Sequence, residues 1–519
     1  VLATLLLLAC SPTPMPEAAP RPIQLASAGS PGPLLSMVAD GAAEADLAAH
    51  LQVPLVRWQN GKALPAWATH WSWADEGLAV TFTLRTDLRW SDGTPLTPAD
   101  LVTAWALTRH ADVASRLRPY AQELTPDSPV VLGPDQVRFS YGQPGLPERR
   151  LWALAQVLPA PQHRLADADP ATLRGHPEAR APLSSGPYLL DEQDPGATYR
   201  LRPNPMWPEP SANDGVLFRI LPDRASQRIA FERGELDLLA SLRTHEAESL
   251  ANLAGVRLVD RGHVGLQVVA WNLEDPVLGA LVVRQALALA VDLDALCEGV
   301  GTRAAGLVSP DLADFRSDHP RTANDPDEAR RLLAAAGWAD PDGDGVLTQG
   351  DMTLAFTLES TSNNPLRREQ AVRLQAAWAA IGARVSLDFS AGSALFPRVM
   401  AREHQAALLG FAVDPFPELD NVASDSAESA NRSNISGYSH PQVDAALARY
   451  RQATTLEEAA QAVRQVEAQV IADQPMLLLY WSADRMAVQG SLAGVVTDPL
   501  DLYAGLEHWR RMPATGSSW

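Results

Sequence analysis

Apolar and polar residues alternate with a period of two where Val80, Phe82 and Leu84 are separated by Thr81 and Thr83. That spacing predicts a strand with one buried face. A second short strand is expected through Leu88 and Trp90, followed by Ser91-Asp92-Gly93-Thr94-Pro95, where Asp and Gly tolerate the backbone angles of a turn. Thr97 then offers a hydroxyl cap, with Pro98 at the first helical position and Asp100 three residues beyond the cap. Leu101, Trp105 and Thr108 fall on one face of the helix so started.

The same patterning continues downstream. After Gly186-Pro187-Tyr188, alternation through Tyr199 and Leu201 predicts strand, ending at Asn204-Pro205-Met206-Trp207. Residues 264–270 read as a strand, and Val283-Arg284-Gln285-Ala286 opens an apolar helical stretch. Asp325 and Pro326 start a helix that Gly337 ends. Ala371, Leu374, Trp378 and Ile381 form a helical stripe stopped by Gly382, Val385, Leu387 and Phe389 alternate as a strand, and after a further helix residues 406–411 form another strand. Helix, strand, helix, strand is the order of an α/β lobe, and Asp414 lies just past its last strand, where ligands collect in open sheets of this kind.

The wording of the first stretch, TFTLRTDLRWSDGTPLTPADLVTAW, resembles the segment that marks the large solute-binding proteins of peptide and nickel ABC importers, family 5 of the bacterial extracellular solute-binding proteins. The Gly186-Pro187-Tyr188 hairpin, the Gly234-Glu235 helix exit, the Val283-Arg284-Gln285-Ala286 helix, Asn434-Ile435-Ser436-Gly437-Tyr438 and residues 475–481 resemble further landmarks of that family, in family order. The resemblance implies a periplasmic-binding-protein-like α/β fold, with two α/β lobes joined by a hinge and a smaller third domain. It divides the chain into residues 22–55 with 176–268 and 485–519 as the first lobe, 56–175 as the small domain, and 269–484 as the other large lobe. It further implies a binding protein, not an enzyme, that captures oligo- or dipeptides and hands them to a membrane permease driven by ATPase subunits, acting as a monomer without a cofactor. Relatives also take nickel complexes, haem or oligosaccharides, and fold does not choose among these. A peptide-acting hydrolase is the rival from another class, but His-Glu-x-x-His, Gly-x-Ser-x-Gly and a phosphate-binding glycine loop are all missing.

With 519 residues and 46% apolar composition, the chain can build several cores, and a formal charge of −20 disfavours nucleic acid and anionic lipid as partners. Two cysteines, Cys10 and Cys297, lie on unlike backgrounds. Cys297 sits in an apolar-rich run and reads as a buried, inert thiol. Cys10 ends the apolar run VLATLLLLAC, and Leu7-Leu8-Ala9-Cys10 resembles a bacterial lipobox whose cysteine takes a diacylglycerol. The Pro-rich stretch after it suits a tether, so residues 1–21 read as signal remnant, lipobox and leash, with the body outside the cytoplasmic membrane on a lipid anchor. Residue 1 is not Met, and this start is expected to be trimmed or misassigned. No other apolar run reaches the roughly 18 to 20 residues that cross a bilayer.

By resemblance, Asp414 pairs with the α-ammonium of a bound peptide, and a turn or cap aspartate before Pro415 is the competing reading. Phe411 stands where oligopeptide binders carry Trp. Arg367 or Arg368 resembles the place from which dipeptide binders hold the ligand carboxylate, against exposure at a helix start as the commoner fate. Trp271 and Tyr120 complete the expected cleft as packing surfaces. Four tryptophans at 58, 67, 71 and 73 read as core or lobe packing, with a sugar platform as the other possibility. Asp340, Asp342, Asp344, Gly345 and Asp351 fall at positions 1, 3, 5, 6 and 12 of a calcium loop, although position 12 prefers Glu and the family uses a similar turn to join helix to strand.

Overall fold

Strand Ala79–Leu84 forms where the alternation places it, with Val80, Phe82 and Leu84 buried. It lies inside a four-stranded sheet ordered Ala68–Ala74, Ala79–Leu84, Gln136–Ser140, Val130–Gly133. The computed structural model describes residues 22–27, 29–39, 41–59, 61–74, 77–194, 196–317, 319–417, 419 and 434–512, so Cys10 and its tether lie outside the described residues. Helix Pro98–Arg109 packs Leu101, Trp105 and Thr108 into the core below this sheet. Its start is fixed by Asp100, whose carboxylate accepts from the Thr97 amide at 2.8 Å and, through its other oxygen, from the Gln162 amide at 2.8 Å. The strand expected through Leu88 and Trp90 does not form. Both side chains are buried, but the Trp90 amide donates to the Thr94 carbonyl at 2.8 Å, closing a tight turn that leaves a single bridge between Arg89 and Pro95.

A second four-stranded sheet is ordered Ile23–Ser27, Val216–Ile220, Thr198–Pro203, Tyr188–Asp194, the last two being the expected hairpin. Gly186 at its entrance is required by space: a Cβ there would lie 3.0 Å from the His50 carbonyl oxygen. The largest sheet among the described residues runs Leu238–Leu239, Met476–Gln489, Val256–Trp271, Ala406–Ala412, Ala355–Thr361, Arg384–Ser390, with Gly301–Arg303 paired to Met476–Gln489. Val256–Trp271 begins eight residues before the apolar run that announced it, because its first half pairs outside the lobe core.

These two long strands make the crossing between lobes. Residues 256–260 pair with 485–489 beside Leu238–Leu239, whereas Gly265–Trp271 pairs with Ala406–Ala412 in the core of the other lobe. The register slips at Asp260/Gly262, His263/Gly265 and Gln267/Val268, and such bulges bend a strand pair and re-aim its side chains. Within the far lobe, Ala355–Thr361 has a parallel neighbour on each side: Arg384–Ser390, reached through helix Pro365–Ala379, and Ala406–Ala412, reached through helix Gly392–Met400. The chain therefore reverses direction across the sheet, and the crevice at the carboxyl ends of Ala355–Thr361 and Ala406–Ala412 is a topological switch point.

Several sequence readings fall in the cores. Cys297 is buried and free, and burial pushes its thiol up. Trp271 is fully buried against Phe356 and Trp378, with ring centroids 6.2 and 5.7 Å away. It is a core residue and does not line the cleft, because its strand is covered on both faces there. Tyr120, on helix Arg118–Glu123, is half-buried and packs on the core of the small domain.

Candidate functional site

Two of the expected residues meet at the switch point. Asn364 caps helix Pro365–Ala379 by accepting from the Arg367 amide at 3.0 Å, which places Arg367 at the carboxyl end of Ala355–Thr361. Its guanidinium crosses to the neighbouring strand. Arg367 Nε donates to Gln267 Oε1 at 3.0 Å, and Gln267 Nε2 in turn donates to Ser482 Oγ at 3.1 Å. Gly410 makes room for it, since a Cβ there would sit 2.5 Å from both Arg367 Nη2 and Gln267 Nε2. Burial holds the Arg367 pKa below its ordinary value, and no carboxylate lies within ion-pair distance of it among the described residues. Arg368 points elsewhere and lies over the Phe389 ring at 4.2 Å.

Asp414 follows strand Ala406–Ala412 and borders a small pocket walled by Leu266, Phe411, Phe416 and Trp481. Leu266, Phe411 and Trp481 lie opposite one another in register, so half-buried Phe411 supplies part of an apolar wall. Burial pushes the Asp414 carboxyl up to about 6, against the opposing pull of Arg116 from the small domain. A desolvated anion so placed calls for a cationic partner.

The pocket adjoins a cavity of about 420 Å³ where four parts of the chain meet: Trp58 and Glu148 from the small domain, His263 from the crossing, Asp498 from the C-terminal segment, and Asp311, Phe315, Val413 and Phe416 from the far lobe. Trp58 bridges the gap, with its ring centroid 5.7 Å from Phe416 and 5.8 Å from Trp152. Gln452 Nε2 donates to Gln143 Oε1 at 3.0 Å across the same divide. His263 is fixed by a strand bulge, its Nδ1 and Nε2 lying 3.0 Å from Asp311 Oδ2 and from Thr302 Oγ1. A second cavity of about 220 Å³ adjoins the first through Trp58 and Asp498.

Arg116, Gln267, His263, Glu148 and Asp498 were not legible as site residues. Gln267 alone carried a signal, as the lone polar side chain in Leu266–Trp271, an otherwise apolar run. The acidic loop forms an exposed cluster of Asp340, Asp342 and Asp344, and Asp351 stands outside it. Both Asp340 oxygens accept from loop amides, Gly343 at 2.8 Å and Gly345 at 3.0 Å, and a short hairpin of Thr348–Gln349 with Met352–Thr353 follows where a calcium loop would lead into a helix.

The family model described as bacterial extracellular solute-binding proteins, family 5 Middle, matches residues 62–434. The oligopeptide-binding protein AppA of Bacillus subtilis (strain 168) is 25% identical over 450 residues, covering 84% of this chain and 81% of that protein. The nickel-binding periplasmic protein of Escherichia coli (strain K12) is 27% identical over 363 residues, 66% of this chain and 67% of that protein. The solved structure of Bacillus subtilis AppA in complex with a nonapeptide superposes with a TM-score of 0.87 at 22% identity, covering 95% of this chain and 99% of that one.

Proposed function

The chain belongs to the bacterial extracellular solute-binding proteins of family 5, substrate-binding proteins and not enzymes, and from that premise we propose that it captures short peptides in the inter-lobe cleft. Asp414 receives the α-ammonium and Arg367 the α-carboxylate. One observation carries the reading: two largely desolvated, opposite charges flank one strand exit at the switch point, Arg367 with no carboxylate at ion-pair distance among the described residues and Asp414 with only the weaker pull of Arg116. Arg367 lies against Gly410, and Asp414 follows four residues later, two of them past the strand's end, a separation of at most about 13 Å. An extended peptide spans at most about 3.3 to 3.6 Å per residue, so two or three residues with a hydrogen bond at each end fill that gap.

The loaded protein passes its peptide to a permease driven by cytoplasmic ATPases, working as a monomer held outside the membrane by lipid on Cys10. Among the described residues no helix is long and apolar enough to cross a membrane, which is compatible with such an anchor. The relative named for nickel suggests another cargo, but among the described residues the one group of metal-type ligands is the acidic cluster on the exposed turn, away from this cleft.

Isothermal titration with Ala-Ala and Ala-Ala-Ala, beside their N-acetyl and C-amide forms, tests the assignment. Either block is expected to weaken binding at least tenfold. Equal affinity for free and blocked peptides removes both residues from their roles.

A further inference from the structure

Helix Leu456–Asp473 packs Val463, Val466 and Val470 into the far lobe, and a single carboxylate lies among them. Glu467 is 1% exposed. A carboxylate taken that far from water persists only where other donors replace the water it loses. Here one neighbouring segment supplies them. Glu467 Oε1 accepts from the Leu307 amide at 2.6 Å and from the Val308 amide at 3.0 Å. Its Oε2 accepts from Ser317 Oγ, and His319 Nε2 lies 3.5 Å away. Gly306 completes the fit, because a Cβ there would run into Glu467 Oε1.

The segment so held, residues 304–317, contains neither helix nor strand, and the bonds it makes to itself are short turns closed on Ser309 and Leu312. A backbone of this kind takes its position from the side chains that satisfy it. Its other face meets the ligand space. Leu307, Val308 and Leu312 wall the pocket beside Asp414 together with Phe411 and Trp481, and Asp311 and Phe315 wall the large cavity. At that front edge Asp311 Oδ2 accepts from the His263 amide at 2.8 Å, and Phe315 meets Phe416 with ring centroids 6.2 Å apart. Glu467 lines neither space and anchors the segment from behind. The pocket beside Asp414 is the narrow end of the cleft, about 50 Å³ against about 420 Å³ for the cavity. Two of its walls, Leu307 and Val308, are the residues whose amides Glu467 holds, so a shift of this carboxylate is a shift of the wall.

We infer that Glu467 is a positioning residue: without reaching the ligand, it sets the width of the pocket beside Asp414 and so the size of the side chain admitted there. The inference rests on the peptide reading for the ligand, and it makes a small apolar first residue the favoured one.

Titration of the full chain with Ala-Ala-Ala and Trp-Ala-Ala reads the ratio of the two affinities in the wild type, Glu467→Leu, Glu467→Gln and Gly306→Ala. The wild type is expected to favour Ala-Ala-Ala tenfold or more. Glu467→Leu leaves two amides without an acceptor and Gly306→Ala pushes the carboxylate off them, so each should bring the two affinities within threefold of one another. Glu467→Gln keeps an oxygen for the amides and can donate to Ser317 Oγ, so it should retain the wild-type ratio. Hydrogen exchange over residues 305–309, followed by mass spectrometry, should quicken at least tenfold in Glu467→Leu and Gly306→Ala and stay slow in Glu467→Gln. Gly306→Ala, which leaves the helix untouched, carries the test if Glu467→Leu does not fold. General damage lowers both affinities alike, so an unchanged ratio in the disruptive variants overturns the inference and leaves the peptide reading standing. A wild type that binds both peptides equally overturns it too. A wild type that binds neither ends the peptide reading, and exchange then decides by itself: quickening confined to residues 305–309 upholds Glu467 as the anchor of this wall, and unchanged exchange overturns it.

Discussion

Replacing Asp414 with Asn should make the empty protein more stable and the loaded protein weaker. The carboxyl titrates at about 6 in the folded state against an ordinary 3.8, because burial disfavours its charge. The folded chain therefore holds a proton that the unfolded chain has released between those values, and stability falls as pH rises through that window. Below about pH 3.8 the residue costs nothing; above about pH 6 the full cost applies. A gap near two pH units corresponds to about 3 kcal/mol, and residual contact with solvent brings the expected range to about 1 to 3 kcal/mol. Asp414→Asn is thus expected to raise the denaturant-derived stability of the unliganded protein by that amount at pH 7.5 and to leave it unchanged near pH 4. Binding should move the other way, since losing one member of a buried charge pair costs about 2 to 5 kcal/mol, at least thirtyfold in affinity. For the wild type, peptide affinity should decline as pH drops below 6, where binding must first expel the proton. Urea titrations at the two pH values and calorimetric titration of Ala-Ala-Ala supply the readings. An Asn variant that is less stable at pH 7.5, or that binds with unchanged affinity, refutes the reasoning.

His404 is buried with neither ring nitrogen bonded among the described residues, and burial, helped by Arg398, holds its pKa down to about 4. Its folded value lies below the ordinary 6.5, so its neutral form supports stability above pH 6.5, and about 3 kcal/mol is lost as pH falls to 4; in melting scans against pH, His404→Leu should flatten that part of the slope, and an unchanged slope would assign it elsewhere. Arg367→Lys, which loses the planar fork, and Gly410→Ala, whose methyl group would displace the guanidinium, should each weaken Ala-Ala-Ala tenfold while sparing its C-amide; equal losses for both ligands would point to general damage. Millimolar calcium is expected to leave the melting temperature in place, because the Asp340 oxygens already hold their own loop, and a rise of several degrees would show a bound ion.

What could be read from the chain was what neighbouring residues decide. The buried face of Ala79–Leu84, the Asp100 cap and the Asp325 cap, which accepts from the Glu328 amide at 2.8 Å, all depend on side chains within a few positions of one another. Leu88 and Trp90 have the spacing of a strand, yet turn hydrogen bonds claim the backbone, a choice that apolar alternation does not encode. Trp271 was placed in the cleft because an apolar strand with a tryptophan at its end reads alike whether one face or both are covered. Asp414 stood out because ligand sites in α/β sheets gather at strand exits, and Arg367 because its place resembles the one from which dipeptide binders hold a ligand carboxylate. Glu148, His263, Asp311 and Asp498 lie on four distant segments and are joined by the crossing strands and their bulges, so nothing local marks them as one wall.

The account depends on a zwitterionic guest being trapped whole between the lobes. Native mass spectrometry of the protein after exposure to a mixed pool of short peptides tests this most directly. One peptide per chain, two or three residues long and recovered intact, is the predicted result. A protein that emerges without cargo, or that carries only N- or C-terminally blocked or cleaved species, would contradict it.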